Sequence, residues 1–156
     1  MKFEHLIQIN DPHNPLIPPL SRHQVWQGLL HRVEDPVPFL PGLETCLIFE
    51  RHADALLRQL DFGQAVIRDR VTLTEGQWVR FEIQPSPGHP GGSLTITIEE
   101  PEPAFLFLRF AYHTTLATRP DSEDRAYVEY VKSAYHQSDV DCVRLIRTLA
   151  AAGMPQ

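Results

Sequence analysis

Cysteine is scarce in this chain of 156 residues: Cys46 and Cys142 are its two, far apart in sequence. A pair so placed builds no disulfide scaffold and supplies no zinc-ligand spacing. Both read as reduced core thiols. Positive charge is also short. Lys and Arg number 14 against 20 Asp and Glu, for a formal net charge of -6. An acidic chain without a basic block suits neither nucleic acid, where affinity rests on neutralising phosphates, nor an anionic membrane surface. No apolar run approaches the length of a membrane span. The opening MKFEHLIQIN alternates polar and apolar residues instead of forming the apolar centre of an export signal. A cytoplasmic location is therefore expected.

Catalytic signatures are missing too. The eight histidines form no H-E-x-x-H and no Cys/His cluster at metal spacing, and there is neither a G-x-S-x-G elbow nor a P-loop. Neither metal nor cofactor is expected. What remains is an ordinary globular composition, 42% hydrophobic and 22% charged, which predicts a single folded domain over residues 1–156.

Two periodicities organise that domain. Residues 3–10 alternate as a strand, and the proline-rich DPHNPLIPPL that follows is a loop. Ser21 and Gln24 form a capping box ahead of a helix with the apolar stripe Val25, Trp26, Leu29, Leu30 and Val33. Pro36, Pro38 and Pro41 end it. From residue 43 the period is two. TCLIFER, AVIRDRVTL, QWVRFEI, SLTITIEE and FLFLRFAYHTT read as strands joined by short turns, an antiparallel meander. ALLRQLDF fits a strand or a helix turn, so residues 54–61 stay open between the two. Residues 122–152 form a last helix, roughly 46 Å long at about 1.5 Å per residue, with a kink or a second start expected near Ser138 and Asp139.

A long helix must bury its stripe on the sheet. The stripe here reads Tyr127, Val131, Ala134, Ser138, Cys142, Leu145 and Leu149. Ala134 and Ser138 are too small to fill the space opposite mid-sheet. The expected fold is α+β: a curved antiparallel sheet of six or seven strands wrapped around a long C-terminal helix, with short helices after the first strand. Either a cavity opens between sheet and helix, or strand side chains such as Phe81 close it.

The segments IPPLSRHQVWQGLLHRVEDPVPFLPGLETC, LLRQLDFG and IEEPEPAFLFLRFAY carry a resemblance. Across nearly the whole chain they are similar to the AtaL-like branch of the SRPBCC superfamily, the START and pollen-allergen-like proteins. That resemblance implies a helix-grip fold and a cavity for a hydrophobic ligand. It carries over no catalytic residue.

Asp69 shares the inward parity of Ile67, Val71 and Leu73. Val79, Phe81 and Ile83 share it on the next strand. Arg109 depends on the connection EEPEPA: one loop length turns it inward, the other outward. Asp69 and Arg109 would stand about 14 Å apart at about 4.8 Å per strand, too far to pair unless the sheet curls strongly. The cavity candidates are Asp69, Phe81, Arg109, His113, Tyr127, Tyr130, Ala134 and Ser138. Asp69, Arg109 and His113 are the groups able to serve acid–base chemistry. Trp26 and Phe39 read as packing residues shaping the cavity entrance. The reading is binding of a small hydrophobic, ring-bearing molecule. A cyclase, dehydratase or hydrolase on the same cavity is the alternative, and a protein-interaction module without a ligand is a third class. Both faces of FLFLRFAYHTT are apolar, so its outer face needs a cover, from a homodimer partner or from the chain itself.

Overall fold

The structure is a computed structural model that describes residues 2–85, 91–114 and 122–153, the last segment with side chains from residue 131. Seven strands follow the predicted order: β1 (Lys2–Gln8), β2 (Thr45–Arg51), β3 (Ala55–Asp61), β4 (Val66–Thr74), β5 (Trp78–Ile83), β6 (Gly92–Glu102) and β7 (Phe105–Thr114). The helices are α1 (Arg22–Glu34) and α2 (Ser122–Ala151), with a 3-10 turn over Val37–Phe39. Residues 55–61 are thus strand. All pairings are antiparallel, in the order β1-β7-β6-β5-β4-β3-β2. This is the helix-grip fold.

Local chemistry sets each element. Ser21 and Gln24 close the capping box reciprocally at the start of α1. The loop before it is closed by a side chain acting as backbone: Asn10 donates to the Leu20 carbonyl at 2.6 Å and accepts from the Leu20 amide at 2.9 Å. Arg147 of α2 donates to the carbonyls of Pro18 and Ile9 and fastens the loop to the last helix. Where the two helices meet, Gly28 is required, because a Cβ there would lie 2.6 Å from Ile146.

The β6–β7 hairpin decides the parity of Arg109. Its turn pairs Glu102 with Phe105, but the register shifts between Glu99 and Glu102. Pro101 lies within that interval and has no N–H to give a ladder. Without the shift Arg109 would oppose Ile98 and face the core. With it, Arg109 opposes Thr97 on the outer face, while Leu106, Leu108, Phe110 and Tyr112 turn inward. Arg109 ion-pairs there with Glu99 at 2.5 Å and with Glu4 of β1 at 3.2 Å. Part of the cover predicted for this face comes from the chain itself: the His13 ring lies 5.5 Å from that of Phe105.

The inner face carries Val71, Val79, Phe81, Leu94, Ile96 and Ile98, buried against α1 and α2. α2 runs as one helix, without the predicted second start. Its buried stripe also differs from the predicted one. Asp139, Cys142, Val143 and Ile146 turn inward, and Ala134 is exposed. No helix among the described residues is long and apolar enough to cross a membrane.

Candidate functional site

Between the inner face of the sheet and α2 the structure leaves a cavity of about 410 Å³. Phe81 does not close it; its ring forms part of the wall. Leu60, Ile67, Ile83 and Leu94 supply apolar surface from four strands, while Val131, Tyr135 and Ser138 come from α2. The volume and the mainly apolar lining match a site for a small organic ligand.

Three polar features interrupt that lining. Arg58 and Asp69 are cross-strand partners on β3 and β4, and both side chains are buried. Arg58 donates to the two carboxylate oxygens at 2.9 and 2.5 Å. Its Nη1 donates to the carbonyls of Val33 at 3.0 Å and Arg32 at 3.3 Å, filling acceptors at the end of α1. All three guanidinium nitrogens are therefore engaged.

Arg32 is the second feature. It is only 7% exposed and lines the same cavity. Its guanidinium and that of Arg58 lie 5.4 and 5.1 Å from the centroid of the Phe81 ring. The Arg32 Nη1 is buried with no hydrogen-bond partner.

The third is a relay leading away from the cavity. Tyr112 lines the wall, and its hydroxyl donates to Oδ1 of Asp139, whose side chain is fully buried. The second oxygen, Oδ2, lies 2.7 Å from Nδ1 of His5 on β1. Burial pushes the Tyr112 hydroxyl far above its ordinary range, and the neighbouring Asp139 adds to the shift. Burial also raises the Asp139 carboxyl, against the pull of its bonds from Tyr112 and His5.

Of the predicted cavity residues, Asp69, Phe81 and Ser138 line the cavity. Arg109 does not, because the shifted hairpin turns it outward into its ion pairs. His113 is exposed and borders a small separate hollow beside Gln84 and Pro85. It occupies an odd-numbered position of β7, on the same outer face as Arg109. Ala134 lies on the solvent side of α2. The side chains of Tyr127 and Tyr130 fall outside the described residues. Trp26 and Phe39 are core residues, as expected, but neither borders the cavity. Asp69 pairs with Arg58 on the neighbouring strand. Among the described residues no group of three His, Cys, Asp or Glu side chains is placed to hold a metal ion.

Arg32, Arg58 and the Tyr112–Asp139–His5 relay were missed by sequence reasoning. The register could have given Arg58. A turn at Gly63-Gln64 pairs Phe62 with Ala65, and four steps inward Arg58 faces Asp69. Arg32 had a weaker signal: it lies three residues after Leu29 and seven after Val25, on the apolar stripe.

A family model described as AtaL, acetylaranotin biosynthesis cluster protein L, matches residues 7–153. No curated protein matches the chain. Among solved structures, the Zhui aromatase/cyclase from Streptomyces sp. R1128 is similar with a TM-score of 0.68 at 15% identity, covering 96% of this chain and 95% of its own. A START superfamily protein from Mycobacterium smegmatis gives 0.65 at 12% identity, covering 95% and 98%. Ara h 8.0201 gives 0.61 at 10%, also covering 95% and 98%. At such identities the likeness is one of fold. The chain belongs to the AtaL family.

Proposed function

We propose that this member of the AtaL family binds one small hydrophobic, ring-bearing molecule in the cavity between sheet and α2. The observation that carries this reading is the open space of about 410 Å³ facing a core that is otherwise buried and apolar. Interiors are normally close-packed, so a void of this size lined by apolar side chains is a feature with a use. Native mass spectrometry of the purified protein, searching for a co-purifying small molecule, tests it together with titration by the neutral dye N-phenyl-1-naphthylamine. One saturable site per chain is expected. A protein that carries nothing and takes up no dye would reject the reading.

One observation favours a second reading, an enzyme acting on a polyketide-like ring substrate as a cyclase, dehydratase or hydrolase. Tyr112 lines the cavity and its hydroxyl donates to a buried carboxyl, and acid–base chemistry needs a proton-carrying group within reach of the ligand. The groups first considered for that work are otherwise occupied or misplaced: Asp69 is held by Arg58, and Arg109 and His113 lie outside. Supporting the second reading is the similarity to an aromatase/cyclase fold. Its test is Tyr112→Phe, which should remove turnover of a bound ring substrate while leaving its affinity largely intact.

A further inference from the structure

Two arginines reach the Phe81 ring, and they differ in one respect. Arg58 has a carboxylate on one side and two helix carbonyls on the other. Arg32 has an orphan nitrogen. A buried guanidinium without a counter-charge is costly, and native chains rarely keep one unless something binds it. Arg32 also interrupts a stripe where Val25, Leu29 and Val33 are fully buried, so an apolar residue would have packed there.

The surroundings of Arg32 do not neutralise it. Its side chain is within hydrogen-bonding reach of the Cys142 thiol, and the groups whose fields it feels are Cys142, Tyr112 and Asp139. Burial holds the Cys142 thiol and the Tyr112 hydroxyl in their neutral forms. Asp139 has one oxygen on Tyr112 and the other on His5. Asp69, a carboxylate that lines the cavity, is taken by Arg58. No described carboxylate therefore pairs with Arg32.

We propose that Arg32 anchors an acidic group of the ligand, so that the cavity takes an organic anion: an apolar, ring-sized body bearing one carboxylate, or one acidic phenol or enolate oxygen. This rests on the ligand-binding reading above. The apolar walls and the Phe81 ring hold the body, and Arg32, which lines the same cavity, offers its unpartnered Nη1 to the oxyanion. Arg58 does not share this task, since its donors are already committed.

Two dyes with one aromatic frame separate the charge from the body. 1-Anilinonaphthalene-8-sulfonate carries an anion at every working pH, and N-phenyl-1-naphthylamine is its neutral counterpart. The unaltered protein should bind the sulfonate about tenfold or more tightly than the neutral dye, the range for a hydrogen bond to a charged group. Arg32→Met should erase that preference while the neutral dye's affinity stays within about twofold, and Arg32→Lys should restore part of it. If the unaltered protein binds both dyes alike, or Arg32→Met weakens both equally, the anchor is wrong and the cavity reading stands. Should neither dye bind the unaltered protein, both fall. The comparison on the unaltered protein needs no variant, so it decides even if Arg32→Met fails to fold.

Discussion

Arg58 and Asp69 stand directly opposite each other on β3 and β4, joined by two hydrogen bonds of 2.9 and 2.5 Å in a part of the sheet that solvent does not reach. The pair ties three things together: two neighbouring strands, the end of α1 through the Arg32 and Val33 carbonyls, and the wall of the cavity.

Breaking this pair from one side should cost more than removing it whole. Arg58→Met leaves a buried carboxylate without a counter-ion and should destabilise the fold by about 3–5 kcal/mol. The double change Arg58→Met with Asp69→Leu should recover a substantial part, because no charge is then stranded. The carbonyls at the end of α1 lose a donor in both variants, so recovery should be incomplete. Urea unfolding of the three proteins measures this. A double variant no more stable than Arg58→Met would show that the carboxylate is solvated without its partner.

The pair also shows where the sequence was readable. Alternation placed Asp69 and Val71 inward on one strand and Phe81 inward on the next, and the structure pairs Val71 with Phe81. Those inferences rest on local parity, which two-residue periodicity carries well. Arg109 was undecidable because one register shift near Pro101 inverts parity, and no pattern in EEPEPA marks it. The Tyr112–Asp139–His5 relay joins residues from β7, α2 and β1. Its formation depends on β1 pairing with β7, a long-range contact that hairpin logic does not reach. On α2, a small shift in the buried stripe moved Ala134 out and Asp139 in. Asp139 sat in the sequence as a plausible cap and became a core residue, because two partners satisfy it.

Trp26 on α1 is 3% exposed, and its indole nitrogen has no hydrogen-bond partner. Trp26→Ala should therefore cost about 3–5 kcal/mol from lost packing. Trp26→Phe should cost clearly less, since it keeps most of the aromatic volume and removes a donor that the fold leaves unsatisfied. Thermal or urea unfolding compares them. A Phe variant as damaged as the Ala variant would mean that the nitrogen has an acceptor, such as a bound water.

The two thiols should differ in reactivity. Burial pushes both upward from the ordinary thiol value, but Cys142 is 3% exposed between α2 and α1, whereas Cys46 lies half-buried on β2. The thiolate is the reactive form, and access is also needed. Iodoacetamide at mildly alkaline pH, followed by peptide mass analysis, should label Cys46 first. Cys142 should react only at the rate of opening of the α1–α2 contact, and its protection should vanish as urea unfolds the chain. Rapid labelling of Cys142 in the native protein would show that the helices part far more readily than their packing implies.

Asp139 should give the chain an unusual dependence on pH. Most carboxylates in folded proteins are held low by partners and stabilise the fold above the unfolded value. Asp139 is shifted the other way by burial. Between the unfolded value, about 3.9, and the raised folded value, the unfolded chain has released this proton and the folded chain still holds it. The folded state then binds more protons, so stability contributed here falls as pH rises through that window and levels off above it. Tyr112 donates to Oδ1, and Oδ2 lies 2.7 Å from Nδ1 of His5. Asp139→Asn lacks the titration, so the stability difference between the two proteins reports it, together with any change at the neighbouring His5. That difference, unaltered minus variant, should be most favourable to the unaltered protein near pH 4 and shrink as pH rises toward neutrality. If it grows instead, the bonds from Tyr112 and His5 outweigh burial, Asp139 is held as an anion, and the relay behind the cavity wall carries a charge rather than a proton.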